Sequence, residues 1–495
     1  VVADLVDRVL SASSQTRVLA TSREPLGLAG ESMIRVGGLS VDAAIELFAN
    51  RAGLDADSDR AIRDKVGDLC ATLDGMPLAI ELAAARARSL PLDRLMQRLD
   101  DLIPLLTKSR VAGERHDSMT SALAWSYDLL GADEQRALRW LSVFPTGFDR
   151  RDAEALLDDP YAEDVVARLV DVSLVQPADE SGRNRMLEPV RQYARSLLAQ
   201  PGEYDQVFER YARWIADEAE RISVELWSPS ARAAGAWIHS QHSEFLVSMD
   251  WAIEHNQPDI AVRIVAALGQ RLIHEGDVDS VVDRALSAVR HPAASRTRQL
   301  AVGAAHIVMR LWKARRSAEA LELMEQAEDV AETTGDLVAQ AEVMHRRAVI
   351  EADASWTRLE SMDQIDAAID QLREAGVVHA NRHLWNRAIY LLRLGRFEEV
   401  KETMAERDAW WRATIGSPDP DALQLLGDLQ RLSGDRRGCV EMHVRAVELY
   451  RADSALFSEA WIWQYVVLEA IALDDRELFS EACLLYTSDA ADDLA

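Results

Sequence analysis

Leu391-Leu-Arg-Leu-Gly-Arg-Phe-Glu-Glu-Val400 and Leu429-Gln-Arg-Leu-Ser-Gly-Asp-Arg-Arg-Gly-Cys-Val440 decide the fold class. Each reads as the end of one helix, a tight turn at a glycine and the start of a second helix. Gly395 and Gly434 lie 39 residues apart. Leu311-Trp-Lys-Ala-Arg-Arg-Ser-Ala-Glu-Ala320 fits the same frame 80 residues before Gly395, about two further periods, with no glycine at its turn. Repetition at this period predicts stacked helix pairs, each burying its neighbour's apolar face. Such arrays are usually binding surfaces. The competing reading is an irregular helical domain, because strict consensus positions are few.

Working outward, 495 residues exceed what one core holds, so three or four domains are expected. Only 23 Gly and 14 Pro interrupt a chain rich in Ala, Leu, Arg, Glu and Asp, a balance that favours helix over sheet. The formal net charge of −28 should repel nucleic acid and anionic membrane from the chain as a whole, though a local basic patch is compatible with it. Cys70, Cys439 and Cys483 have no metal-type spacing, which points to a reducing, cytoplasmic setting and buried apolar roles. No apolar run is long enough to span a membrane, and residues 1–10 lack the basic start of a signal peptide.

Residues 1–14 have helical apolar spacing. Residues 16–23 form a short apolar run ending in polar residues, the pattern of a buried parallel strand with a functional loop at its C-terminal end. A second short strand is expected within 30–39. From Ser40 the period is helical, with Ser40 as cap. A helix over 58–73 is broken by Asp74-Gly-Met-Pro77, and Pro77 falls in the first turn of the next, where a missing N–H costs nothing. Residues 118–200 predict helices near 118–130, 133–143, 150–157 and 162–171. A hairpin around Asp179-Glu-Ser-Gly-Arg183 follows, and then a helix over 189–198. Three helices plus a β-wing is a winged-helix pattern. Residues 201–295 read as helical.

Four segments resemble the STAND-class NTPases of the NB-ARC group, most closely bacterial regulators of the LuxR and AfsR/SARP type. Arg17-Val-Leu-Ala-Thr-Ser-Arg-Glu-Pro-Leu-Gly-Leu-Ala-Gly-Glu31 looks like the segment after the Walker B strand. The resemblance implies that Arg23 is the sensor arginine for the terminal phosphate, with Thr21 and Ser22 beside it. A guanidinium suits that role, because its planar fork pairs bidentately with phosphate oxygens. Leu73-Asp-Gly-Met-Pro-Leu-Ala-Ile-Glu-Leu-Ala-Ala-Ala-Arg86 resembles the family's Gly-Leu-Pro-Leu motif with Met76 for Leu. It implies nucleotide contact at Pro77 and Gly75, while both residues also simply shape a helix start. Arg115-His-Asp-Ser-Met-Thr-Ser-Ala-Leu-Ala-Trp-Ser-Tyr-Asp-Leu-Leu130 looks like the winged-helix entry, with Trp125, Tyr127 and Leu129 as core residues. In this family the winged helix is a switch module rather than a DNA reader. Met186-Leu-Glu-Pro-Val-Arg-Gln-Tyr-Ala194 stands where the family has Met-His-Asp, but Leu187 replaces the His and cannot donate a hydrogen bond. Residues 244–267, including Trp251-Ala-Ile-Glu-His255, look like the family's linker.

Neither a Gly-x-x-x-x-Gly-Lys-[Ser/Thr] phosphate loop nor a Walker B strand occurs. The expectation is a mainly α chain, truncated at both ends, carrying the second half of a P-loop switch. The implied organisation is an α/β NTPase remnant at 1–40, a helical subdomain at 41–110 and a winged helix at 111–200. A helical linker at 201–295 and TPR-like repeats at 296–482 follow. Residues 483–495 resemble a translated sequencing adapter and are set outside the fold. ATP or ADP with Mg would serve the intact protein as a slow ATPase switch controlling transcription, whereas this chain is expected to bind nucleotide weakly or not at all and to be inactive. No catalytic or metal residue is expected. An unknown inducer or protein would engage the repeats, without membrane or direct DNA binding, and the intact protein could oligomerise with nucleotide. The alternatives are a repeat scaffold that never binds nucleotide and a winged helix that binds DNA itself.

Overall fold

A computed structural model of the chain describes residues 2–12, 16–20, 38–54, 60–73, 75–88, 123–179, 181–199, 202–272, 278–354, 359–452 and 456–476, with 26, 28, 31–32, 91–92, 94–96 and 478–479 between and after them. The protein is mainly α-helical, as its composition and periodicity predict. It divides into two compact units, residues 1–135 with 167–175 and residues 136–166 with 176–495.

The first unit holds α1 (Val2–Ala12), α2 (Val41–Ala52), α3 (Arg60–Thr72) and α4 (Pro77–Ala87). Ser40 caps α2 by accepting from the Ala43 N–H at 3.4 Å, and Pro77 opens α4 at its first position. Ile45 and Phe48 of α2, Val66 and Leu69 of α3, Ile80, Ala83 and Ala84 of α4, and Trp125 form one buried cluster. Burying each large side chain in such a cluster contributes about 1.5–3 kcal/mol. The short chain between α3 and α4 is held at Gly75, whose φ is +63° and whose carbonyl accepts from Leu39 N–H at 2.8 Å. A Cβ at Gly75 would stand 2.6 Å from the Leu39 carbonyl oxygen, so backbone approach demands glycine here. The strand expected over 16–23 is not formed at its described part. Residues 16–20 have no regular structure, and Leu19 is 91% exposed. A strand needs a neighbour for its backbone N–H and C=O groups, and none pairs with this segment among the described residues. The segment expected as a strand within 30–39 falls mostly outside the described residues.

Residues 132–199 build the winged-helix pattern from α5 (Ala132–Leu141), α6 (Arg150–Leu157), α7 (Ala162–Asp171) and α8 (Glu188–Ser196). Antiparallel bridges join Gln176 to Arg185 and Phe148 to Asn184, so the wing hairpin also pairs with the segment before α6. Asp149 and Asp152 form a reciprocal capping box on α6.

The second unit continues with α9 (Glu203–Glu225), α10 (Ala231–Ser240), α11 (His242–Glu254), α12 (Pro258–Leu272) and α13 (Val278–Val289). The array follows as α14 (Arg298–Lys313), α15 (Ser317–Thr334), α16 (Leu337–Ala354), α17 (Leu359–Glu374), α18 (Leu384–Arg393), α19 (Phe397–Thr414), α20 (Pro420–Leu432), α21 (Arg436–Ala452) and α22 (Leu456–Ala472). The expected helix–turn–helix frame is present. At Gly395 and Gly434 φ is +73° and +90°, and the next N–H bonds back five residues, Arg396 to Leu391 and Asp435 to Gln430. Arg315 (φ +62°) and Asp474 (φ +56°) make the same turn, with Arg316 N–H bonding to Leu311 and Asp475 N–H to Ala470. The turn therefore occurs with and without glycine. Its repetition, rather than the glycine, marks the period.

Candidate functional site

The helical array encloses a groove of about 680 Å³, a size typical of small-molecule sites. Side chains from α9, α12, α14, α16 and α18 to α21 and from the turn before α18 converge on it. Seven lining residues are Lys or Arg and three are carboxylates, against a chain whose net charge is −28.

The carboxylates are already engaged. Glu220 accepts from Arg263 at 2.6 Å. Glu342 is buried, accepts from Arg382 at 2.7 Å and lies 3.3 Å from His383. Burial pushes the Glu342 carboxyl up, but Arg382 and His383 outweigh it and hold it well below the usual range. At one end Arg407, almost fully buried, donates to Asp419 at 2.7 Å and to the Arg382 carbonyl at 2.8 Å, and also reaches Asp421. Tyr450 donates to the same Asp421.

Among the described residues Arg310, Lys313 and Arg346 form no such ion pair, although Glu342 acts on Arg346 and Asp353 on Lys313 through space. Arg346 is 8% exposed, and its Nε has no hydrogen-bond partner among the described residues. The Nε of Arg310 is in the same position. Burial lowers the Arg346 pKa to about 10, so the guanidinium remains charged at neutral pH. Burial also lowers the Lys313 pKa, and the charges of Arg346 and Arg310 push it the same way. Lys313 therefore feels both arginines. The nearby histidines add no charge: burial lowers His306 to about 3 and His383 to about 4.

Aromatic rings complete the groove. Trp227 stacks on His379 with centroids 5.5 Å apart, and Trp411 stands perpendicular to Trp227 at 6.3 Å. Arg382 lies over Trp227 and Arg407 over Trp411, at 5.9 and 5.5 Å. Cations beside planar apolar walls are suited to an anion on an apolar body.

Of the expected nucleotide contacts, Thr21, Ser22 and Arg23 lie outside the described residues. Gly75 and Pro77 lie together at the start of α4, where their backbone shapes the turn. Trp125 is buried in the first unit's core, while Tyr127 and Leu129 are half-buried. Leu187 precedes α8 as its cap, and the exposed Glu188 is paired with Arg191 at 2.9 Å. Burial pushes the thiols of Cys70 and Cys439 up to about 11 and 12, which disfavours the thiolate form. Cys483 falls outside the described residues. Among those residues no group of side chains could hold a metal, and no helix is long and apolar enough to cross a membrane.

Motif reading missed the groove. A signal was present, since Arg310, Arg346 and Arg382 recur at 36-residue steps within an array of similar period. Surface arginines are common enough that this spacing alone does not set them apart.

Comparison with known proteins adds the context. A winged helix-turn-helix domain family matches residues 130–199. A Mycobacterium tuberculosis protein that bears the name "Putative HTH-type transcriptional regulator" is 35% identical over 280 residues, covering 54% of this chain and 31% of that protein. An uncharacterized protein of the same bacterium is 37% identical over 228 residues, covering 43% of this chain and 58% of that protein. The chain thus spans less than two thirds of the length of either relative. A solved Signal Transduction ATPase with Numerous Domains (STAND) protein with a tetratricopeptide repeat sensor, from Pyrococcus horikoshii, aligns with a TM-score of 0.49 and 12% identity over 92% of this chain and 67% of that one. The domain match bears out the winged-helix reading, and the relatives include a protein named as a transcriptional regulator.

Proposed function

We propose that the chain is part of a STAND-type, nucleotide-dependent regulator of transcription whose TPR-like array is its sensor. The observation that carries this reading is the passage from a winged helix into stacked helix pairs that enclose a charged, aromatic groove. Ligand in the groove would favour one arrangement of the helices, and nucleotide elsewhere in the intact protein would bias the same equilibrium.

The winged helix then acts as a switch part rather than a DNA reader. The exposed face of α7, the helix in the recognition position, carries Glu163, Asp164 and Asp171 against Arg168 alone. The wing arginines are also engaged, Arg183 with Asp152 at 3.2 Å and Arg185 with Asp179 at 3.2 Å. Phosphate contact needs uncommitted cations, and this surface offers few.

Calorimetry on the intact gene product and on these 495 residues tests the reading. The intact protein should bind ADP or ATP at micromolar levels, and this chain should not. An intact protein that binds neither would leave the array as a nucleotide-independent scaffold. Specific duplex binding by this chain in a low-salt gel shift would overturn the switch role of the winged helix.

A further inference from the structure

We infer that the groove of the helical array binds a small organic anion, a carboxylate or phosphate carried on an aromatic or apolar body, through Arg310, Lys313 and Arg346. The array's role as a sensor supplies the biological meaning. The binding itself is a property of this chain without nucleotide, so the two readings fail independently.

Three independent features converge. Arg346 is more than nine-tenths buried and lines the cavity with an unpartnered Nε. A buried guanidinium without a partner is costly, and proteins retain such costs where a ligand repays them. Arg310 and Lys313 approach from the last turn of α14. A helix C-terminus attracts cations, which explains why they sit there but not why they face Arg346 across a cavity rather than carboxylates. The groove carboxylates cannot neutralise the three cations, because Glu220, Glu342 and Asp421 are held by Arg263, Arg382 and Arg407. Glu342 and Asp353 act on Arg346 and Lys313 only through space and are themselves paired with Arg382 and Arg393, so no carboxylate among the described residues accepts the donors of the three cations.

The body of the ligand follows from the other wall. The Trp227 and His379 planes are 19° apart, and Trp385 and Trp411 also line the groove. Planar walls accommodate a flat apolar group, while guanidinium forks accept carboxylate or phosphate oxygens in two parallel bonds. A cavity of about 680 Å³ admits a metabolite-sized molecule but no duplex or folded partner.

The test uses the full chain with phenyl phosphate, phenylacetate, inorganic phosphate and neutral benzyl alcohol. Tryptophan fluorescence and thermal unfolding are the readouts. At least one aromatic anion should give saturable binding and raise Tm, and benzyl alcohol should do neither. The stronger of the two anions identifies phosphate or carboxylate as the preferred head group. Arg346→Met and Arg310→Met should each weaken that binding at least tenfold, whereas Arg437→Gln on the exposed face of α21 should leave it unchanged. Without ligand, Arg346→Met should keep or raise Tm, because it removes a buried charge and breaks no hydrogen bond. The proposal is overturned if neither aromatic anion saturates up to about 10 mM, a limit near −3 kcal/mol of binding free energy. Undiminished binding by Arg346→Met would overturn it, as would a lower ligand-free Tm, which would make Arg346 a structural residue.

Discussion

Arg407 and Arg346 are both buried arginines lining one groove, yet they stand in opposite electrostatic situations. Around Arg407 every charge has a counterpart: Asp419 and Asp421 accept its donors, and Tyr450 completes the network. Around Arg346 the nearest groove carboxylate, Glu342, is committed to Arg382 and His383. The first region is a closed network that belongs to the fold. The second is open, and its unmet charge is available to a ligand. Burial of an arginine therefore does not by itself separate structure from function. The state of its partners does.

The largest expected effect lies at the closed end. Arg407→Met should destabilise the chain by about 3–5 kcal/mol, because it strands the buried Asp419 without its cation. Chemical denaturation would measure it. A loss no larger than that of Arg346→Met would erase the distinction between the two regions.

Glu244 represents an intermediate case. It is fully buried, accepts from Thr146 N–H at 3.0 Å and from Tyr211 hydroxyl, and contacts no cation directly. Burial raises its pKa to about 6, with the Thr146 and Tyr211 hydrogen bonds opposing that rise. A raised carboxylate favours the protonated fold. The contribution is complete below the ordinary value of 4.5 and is lost as pH rises through 6. It amounts to at most about 2 kcal/mol. Glu244→Gln should flatten the dependence of Tm on pH between these values, relative to the native chain. Equal slopes in the two proteins would show that Glu244 does not titrate in this window.

The smallest effect concerns the turns. Arg315 holds a positive φ that Gly395 and Gly434 adopt without strain. Arg315→Gly should therefore raise stability by up to about 1 kcal/mol in thermal unfolding. A decrease would mean that the Arg315 side chain contributes more than its backbone costs.

Much of the fold was legible in the sequence. Ser40, Pro77 and the helix starting at Arg150 act locally, through caps and fixed dihedrals, and their positions agree with the structure. The 39-residue step between Gly395 and Gly434 identified the helix pairs, because each pair repeats the same local turn. The strand read at residues 16–23 failed at its described part for the complementary reason. An apolar run becomes a strand only when another strand satisfies its backbone.

The site was far less legible. Composition predicted an acidic chain, and its charge total concealed a cationic groove. By itself the sequence determined the helices, their turns and the winged-helix order, since these depend on residues a few positions apart. Only the tertiary structure decided which arginines are paired. Arg407 meets Asp419 within 12 residues, but Glu342 meets Arg382 across 40, and the lack of a hydrogen-bond partner for the Arg346 Nε among the described residues is a property of the whole array. Solvation and ion pairing are set by what surrounds a charge in space, and no spacing along the chain records it.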